Sequence, residues 1–128
     1  MRGGYYMIII DYKDRRPIYE QITERFEELI LRGVLEPDSQ LPSVRNLAME
    51  LSINPNTIQR AYQELERKGF IYSVKGRGSF IAANDAIILC RKEELITDLK
   101  SLVKEVRGAG IELEEVVHIV NECYKEVV

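Results

Sequence analysis

The chain is predicted to be mostly α with a small β wing, and three features of its 128 residues carry that prediction. Apolar residues recur at helical spacing in three short stretches between Ile18 and Leu65. The pattern then turns to alternation around a basic, glycine-containing tip, Lys75-Gly76-Arg77-Gly78. Two further helical stretches follow, separated by Gly108-Ala109-Gly110.

Met1 to Tyr6 carry no periodic pattern and stay outside the fold argument, with Met7 a candidate alternative start. Met7 to Tyr12 reads as a short extended arm. Asp14 and Pro17 open the first helix, with Asp14 or Arg16 near the cap, Pro17 in the first turn and Glu20 at the positive end of the dipole. Ile18, Ile22, Phe26, Leu29 and Ile30 define its buried stripe, and Gly33 ends it. Glu36-Pro37-Asp38-Ser39 is a turn, and Gln40-Leu41 allows only a brief strand.

Ser43 is the expected N-cap of a second helix that turns Val44, Leu47, Ala48 and Leu51 inward. After Ser52-Ile53, Asn54 caps a third helix with Pro55 at its first position, where a missing N–H costs nothing. Ile58, Ala61, Tyr62 and Leu65 form the core stripe of that helix, and Gly69 stops it. Tyr19 and Tyr62 both fall on apolar stripes and are expected in the core.

Phe70, Tyr72 and Val74 lead into the basic tip and Phe80-Ile81 lead out, which is a β-hairpin. Asn84-Asp85 reads as a linker. Leu95, Leu99, Leu102 and Val106 mark a fourth helix, and Leu113, Val117, Val120, Tyr124 and Val127 a fifth. Together these two are expected to form an αα-hairpin.

Composition bounds the function. The chain is 45% hydrophobic and 30% charged, which is globular, and its length excludes a large multidomain enzyme. The apolar run Met7 to Ile10 is too short for a signal-peptide core or membrane span, so a cytoplasmic protein without a membrane partner is expected. Cys90 and Cys123 lack CxxC spacing and read as reduced and mostly structural. His118, the only histidine, reads as a helix-surface or interface residue. No metal or cofactor is called for. An enzymatic reading finds neither a Schiff-base lysine context nor paired acids, and a metal or redox sensor would have to rest on Cys90, Cys123 and His118 alone.

Helix, short strand, helix, four-residue turn, helix and hairpin is the order of a winged helix-turn-helix domain. A helix enters the major groove of B-DNA when its leading side chains are polar, its back is packed and a preceding helix braces it. Asn54, Asn56, Thr57, Gln59 and Arg60 supply the polar edge, while Ile58, Ala61 and Leu65 supply the back. The net charge of −3 does not oppose this reading. Residues 1–85 are neutral overall and 86–128 carry −3, while Ser39 to Ala83 hold six basic against three acidic residues.

Four stretches resemble the DNA-binding domain of GntR-type bacterial transcription regulators. They are Pro17 to Ile22, Leu41 to Ala48, Asn54 to Tyr62 and Gly76 to Phe80. Pro17-Ile18-Tyr19-Glu20-Gln21 and Arg60-Ala61-Tyr62 look like the YtrA or MocR subgroups. With the chain ending at Val128, the YtrA subfamily is the one expected, since MocR-type proteins carry a fused aminotransferase-like domain.

The resemblance implies a sequence-specific regulator, a repressor, with double-stranded operator DNA as its partner and a neighbouring transporter operon as its target. It implies DNA contacts from Ser43 and Arg45 at the start of the second helix, and from Asn54, Asn56, Thr57 and Gln59 on the recognition edge. Arg60 follows as a phosphate or guanine contact. In the wing, Gly76 lets the backbone approach the minor groove, and Lys75 and Arg77 supply charge.

The competing roles are an Arg45–Glu50 ion pair, a merely solubilising hairpin tip, and Asn54 as a cap alone. Residues 7–83 are expected to form the DNA-binding domain and residues 86–128 a helical dimerisation/effector appendage. Leu95, Leu99, Leu102, Val106, Leu113, Val117, Val120 and Tyr124 are its expected homodimer interface. Two helices cannot enclose a large ligand, so any small-molecule effector is expected at the dimer or interdomain interface. The rival reading is a winged-helix docking module that binds protein and never DNA.

Overall fold

A computed structural model describes residues 8–126. The expectations for Met1 to Met7 and for Val127 lie outside the described residues. Five helices and one hairpin follow in order: α1 (Ile18–Leu31), α2 (Val44–Leu51), α3 (Pro55–Arg67), β1 (Ile71–Val74), β2 (Gly78–Ile81), α4 (Asp85–Gly108) and α5 (Leu113–Lys125). The chain divides into two compact units, the first ending at Ile88 and the second starting at Leu89.

In the first unit, the arm tucks Ile8 into the core. The Asp11 N–H donates to Gln21 Oε1 at 2.9 Å, and Gln21 Nε2 donates back to the Asp11 carbonyl at 3.1 Å. This pairing satisfies a buried amide and fixes the arm on α1. The start of α1 corrects the sequence expectation, because Pro17 is itself the N-cap and no side chain caps the helix. Asp14 instead accepts the Arg16 N–H at 2.9 Å and pairs with its guanidinium at 2.8 Å.

Ser43 caps α2 as expected, accepting from Asn46 N–H at 3.0 Å. Asn54 caps α3, accepting from Asn56 N–H at 2.8 Å, with Pro55 in the first turn. α3 closes with Gly69 at φ 87° and the Phe70 N–H on the Leu65 carbonyl, at 2.9 Å. That is the reversal which satisfies last-turn carbonyls and which glycine adopts without strain. The turn between α2 and α3 has the same Ile53-to-Ala48 hydrogen bond at 2.9 Å, but its left-handed position is Ser52, at φ 55°.

Ile22, Phe26, Leu29, Leu47, Ile58, Leu65 and Ile81 are the large side chains sealed most completely. Each contributes about 1.5–3 kcal/mol by leaving water. α3 packs on both α1 and α2. Phe26 meets Tyr62 edge to face at 5.9 Å, and the Tyr62 hydroxyl donates to the Pro42 carbonyl at 2.7 Å. Glu27, buried on α1, accepts from Lys68 Nζ at 2.8 Å just beyond α3.

The hairpin is antiparallel, pairing Ile71 with Ile81 and Tyr72 with Phe80. Its inner face differs from the alternation expected. Phe70 and Ile71 are both buried, while Tyr72 and Val74 are exposed. Phe70 enters the core directly from the Gly69 reversal, and Ile71 is the one buried residue of β1, with Tyr72, Ser73 and Val74 all exposed. The brief strand expected at Gln40 is a single bridge to Phe80.

The expected linker is the start of α4, with Asn84 Oδ1 accepting from Ile87 N–H at 3.2 Å and Ile88 packed against the core. In the second unit, α4 and α5 are joined by residues 109–112 but do not pack side by side as an αα-hairpin. Neither helix buries any described residue. Among the described residues no helix is long and apolar enough to cross a membrane.

Candidate nucleic-acid interface

The helix-turn-helix places its polar side chains by packing everything behind them. Ile58, Ala61, Tyr62 and Leu65 are buried on one side of α3, and at helical spacing this turns Asn56, Gln59 and Arg60 to solvent. Thr57 lies half-buried at the margin. The Asn54 side chain is exposed but its Oδ1 is engaged as the cap, so its amide nitrogen remains as a donor. Arg45 stands exposed one position after the first residue of α2 and makes no ion pair with Glu50.

The wing tip is the turn Val74–Arg77, closed by the Arg77 N–H on the Val74 carbonyl at 2.9 Å. Gly76 takes φ 80° there, a value that suits the third residue of such a turn and favours glycine. Lys75, Gly76 and Arg77 are all exposed. The sequence reading missed what holds this tip. Gln40 Nε2 donates to the Arg77 carbonyl at 2.7 Å across 37 residues, and the Leu41 N–H donates to the Ser79 carbonyl at 2.9 Å. On the outer face Tyr72 stacks on Phe80 at 5.6 Å, and its hydroxyl donates to Asp38 at 2.9 Å.

That hydrogen bond to the Asp38 carboxylate raises the Tyr72 pKa above its ordinary value. At the end of α3, Arg67 binds the Glu64 carboxylate and lowers its pKa. Arg60 behaves unlike its neighbours. Its guanidinium lies 3.9 Å over the Tyr19 ring of α1 and donates to the Tyr19 hydroxyl at 3.3 Å. Tyr19 is therefore half-exposed beneath a cation and not the plain core residue expected.

Among the described residues, no His, Cys, Asp and Glu cluster could hold a metal ion. Cys90 and Cys123 are free and exposed, which corrects the structural role their apolar neighbourhoods suggest. His118 is exposed on α5. The expected interface residues Leu95, Leu99, Leu102, Leu113, Val117, Val120 and Tyr124 are all exposed, and Val106 is half-buried.

A braced helix with a polar leading edge, followed by a hairpin with a cationic tip, defines a winged helix-turn-helix protein. The family model for bacterial regulatory proteins, gntR family, matches residues 18–81. The chain belongs to that family. It is 42% identical to the HTH-type transcriptional repressor YtrA of Bacillus subtilis (strain 168), over 94% of this chain and 95% of the repressor.

Among solved structures, a transcriptional antiterminator from Listeria monocytogenes EGD-e superposes with a TM-score of 0.75 at 35% identity, covering 94% of this chain and 92% of that one. The AraR(DBD) in complex with operator ORE1 superposes with a TM-score of 0.51 at 30% identity, covering 58% and 90%.

Proposed function

We propose that the protein is a sequence-specific DNA-binding repressor that acts as a homodimer on a palindromic operator. The observation that carries this reading is the α3 edge. Asn54, Asn56, Thr57 and Gln59 are presented by a helix whose whole back is packed, in one compact unit with exposed Ser43, Arg45 and the Lys75-Gly76-Arg77 tip. Asn or Gln paired to adenine and Arg to guanine each discriminate by about 1–3 kcal/mol. The similarity to a named repressor and to a domain solved on its operator supports DNA as the ligand.

The second unit supports dimerisation. Leu95, Leu99, Leu102, Leu113, Val117, Val120 and Tyr124 expose an apolar surface that an isolated chain leaves in water. A twofold pair sets two recognition helices about 34 Å apart, one helical turn of DNA between half-sites. Such a dimer on its operator blocks polymerase sterically.

Selection of bound duplexes from a random pool should enrich an inverted repeat. The Arg45→Ala, Arg60→Ala, Arg77→Ala triple variant should lose that binding while keeping its fold by circular dichroism. Unchanged affinity would move the assignment to a protein-docking module. Single-stranded RNA of the enriched sequence should bind no better than unrelated RNA.

A further inference from the structure

Arg60 is held by α1, not left free on the recognition edge. Its guanidinium is stacked on Tyr19 at 3.9 Å and donates one Nη2–H to the hydroxyl at 3.3 Å. Tyr19 packs partly against the core, so the ring is anchored while the cation above it stays in solvent. Glu64, the acid one turn along α3, is bound by Arg67 and not by Arg60. Among the described residues no carboxylate forms an ion pair with Arg60, whose charge reaches Glu64 only at longer range, and its Nε and Nη1 donors are left for an anion.

We propose that Tyr19 is a positioning residue that pre-orients the Arg60 guanidinium at the α1 side of α3 to meet a DNA phosphate, not a base edge. This rests on the DNA-binding reading above. Base contacts in such motifs come from the N-terminal residues of the recognition helix, here Asn54 to Thr57, and Arg60 sits a turn later and is drawn towards α1. A free arginine loses much rotamer freedom when it docks on a phosphate. Stacking on an anchored ring removes part of that loss beforehand, and the planar fork keeps its remaining donors aligned.

The test is a double-mutant cycle on the full chain, titrating the enriched operator duplex and an unrelated duplex of equal length across a salt series. Arg60→Ala should weaken both duplexes by the same factor and lower the slope of log affinity against log salt by about 0.9 per chain bound. Tyr19→Leu keeps an apolar side chain against the core and removes the π face. It should cost about two- to fivefold per half-site with the salt slope kept, and nothing further in the Arg60→Ala background.

Tyr19→Phe should stay within about twofold of wild type. Arg60→Lys should match Tyr19→Leu, so the cycle survives if the leucine variant folds poorly. Equal Tyr19→Leu effects with and without Arg60 would overturn the positioning role, and so would a loss confined to the operator duplex. If the wild-type chain bound neither duplex, the DNA-binding reading itself would fall, a different result from an additive cycle.

Discussion

Gly78→Ala tests how the wing is held. Gly78 has φ 115°, a backbone conformation costing about 1–3 kcal/mol for a residue with a Cβ. An added Cβ would also lie 2.9 Å from Gln40 Nε2. That atom ends a flexible side chain, so the amide can swing aside, but only by giving up its 2.7 Å hydrogen bond to the Arg77 carbonyl. Losing a neutral hydrogen bond at the surface costs about 0.5–1.5 kcal/mol. The expected total is about 1.5–4.5 kcal/mol by urea denaturation.

In a Gln40→Ala background the second contribution is already gone, so Gly78→Ala should cost about 1 kcal/mol less there. Gly76→Ala is the control. Its φ is 80° with nothing within 4 Å of the added Cβ, so only backbone strain of about 1–2 kcal/mol applies. Additive Gly78→Ala and Gln40→Ala effects would refute Gln40 as the brace of the tip. A Gly78→Ala cost no larger than that of Gly76→Ala would refute it as well.

Three further outcomes follow from the same geometry. Ser52 holds the left-handed position between α2 and α3, so Ser52→Val should destabilise by about 1–2 kcal/mol and Ser52→Gly should not. Removing either helix cap, Ser43→Ala or Asn54→Ala, should cost about 1 kcal/mol in thermal denaturation, roughly additively since the caps serve different helices. Tyr72 should ionise later than an ordinary tyrosine in an absorbance titration, and Asp38→Asn should bring it back. Because the folded pKa is the higher one, its stabilisation is complete below the usual tyrosine value of about 10 and disappears as pH rises through the raised value.

The helix-turn-helix was legible because its signals are local. Ser43 and Asn54 cap through their own next residues, and the Ile58, Ala61, Tyr62, Leu65 stripe follows the helical period. What sequence could not show is side-chain reach across the fold. Gln40 finds the wing 37 residues on, and Arg60 finds a ring 41 residues back. Neither partner is implied by any period or spacing. The misread burial pattern on the first strand of the hairpin has the same origin, since burial of Phe70 depends on the direction of the chain leaving Gly69. In α4 and α5 the apolar positions were legible but their packing was not, because each stripe needs a surface that a single chain's two helices do not give each other.

If the proposed DNA-binding reading holds, the charge on the segment Ser39 to Ala83 sets how much work each half-site can do. Of the six cations between Ser39 and Ala83, Arg67 is bound by Glu64 and Lys68 by buried Glu27. Arg45, Arg60, Lys75 and Arg77 form no ion pair among the described residues. If all four meet phosphates, the salt slope is at most about −3.6 per chain, near −7 for two chains. Raising salt from about 50 to 200 mM then lowers affinity by about a hundredfold for one chain and about ten-thousandfold for a pair. A single chain with so few free cations and an acidic second unit has little non-specific hold on DNA. On the proposed reading, occupancy then comes from base contacts on α3 repeated at two half-sites, which would tie the polar edge of the first unit to the exposed apolar faces of the second.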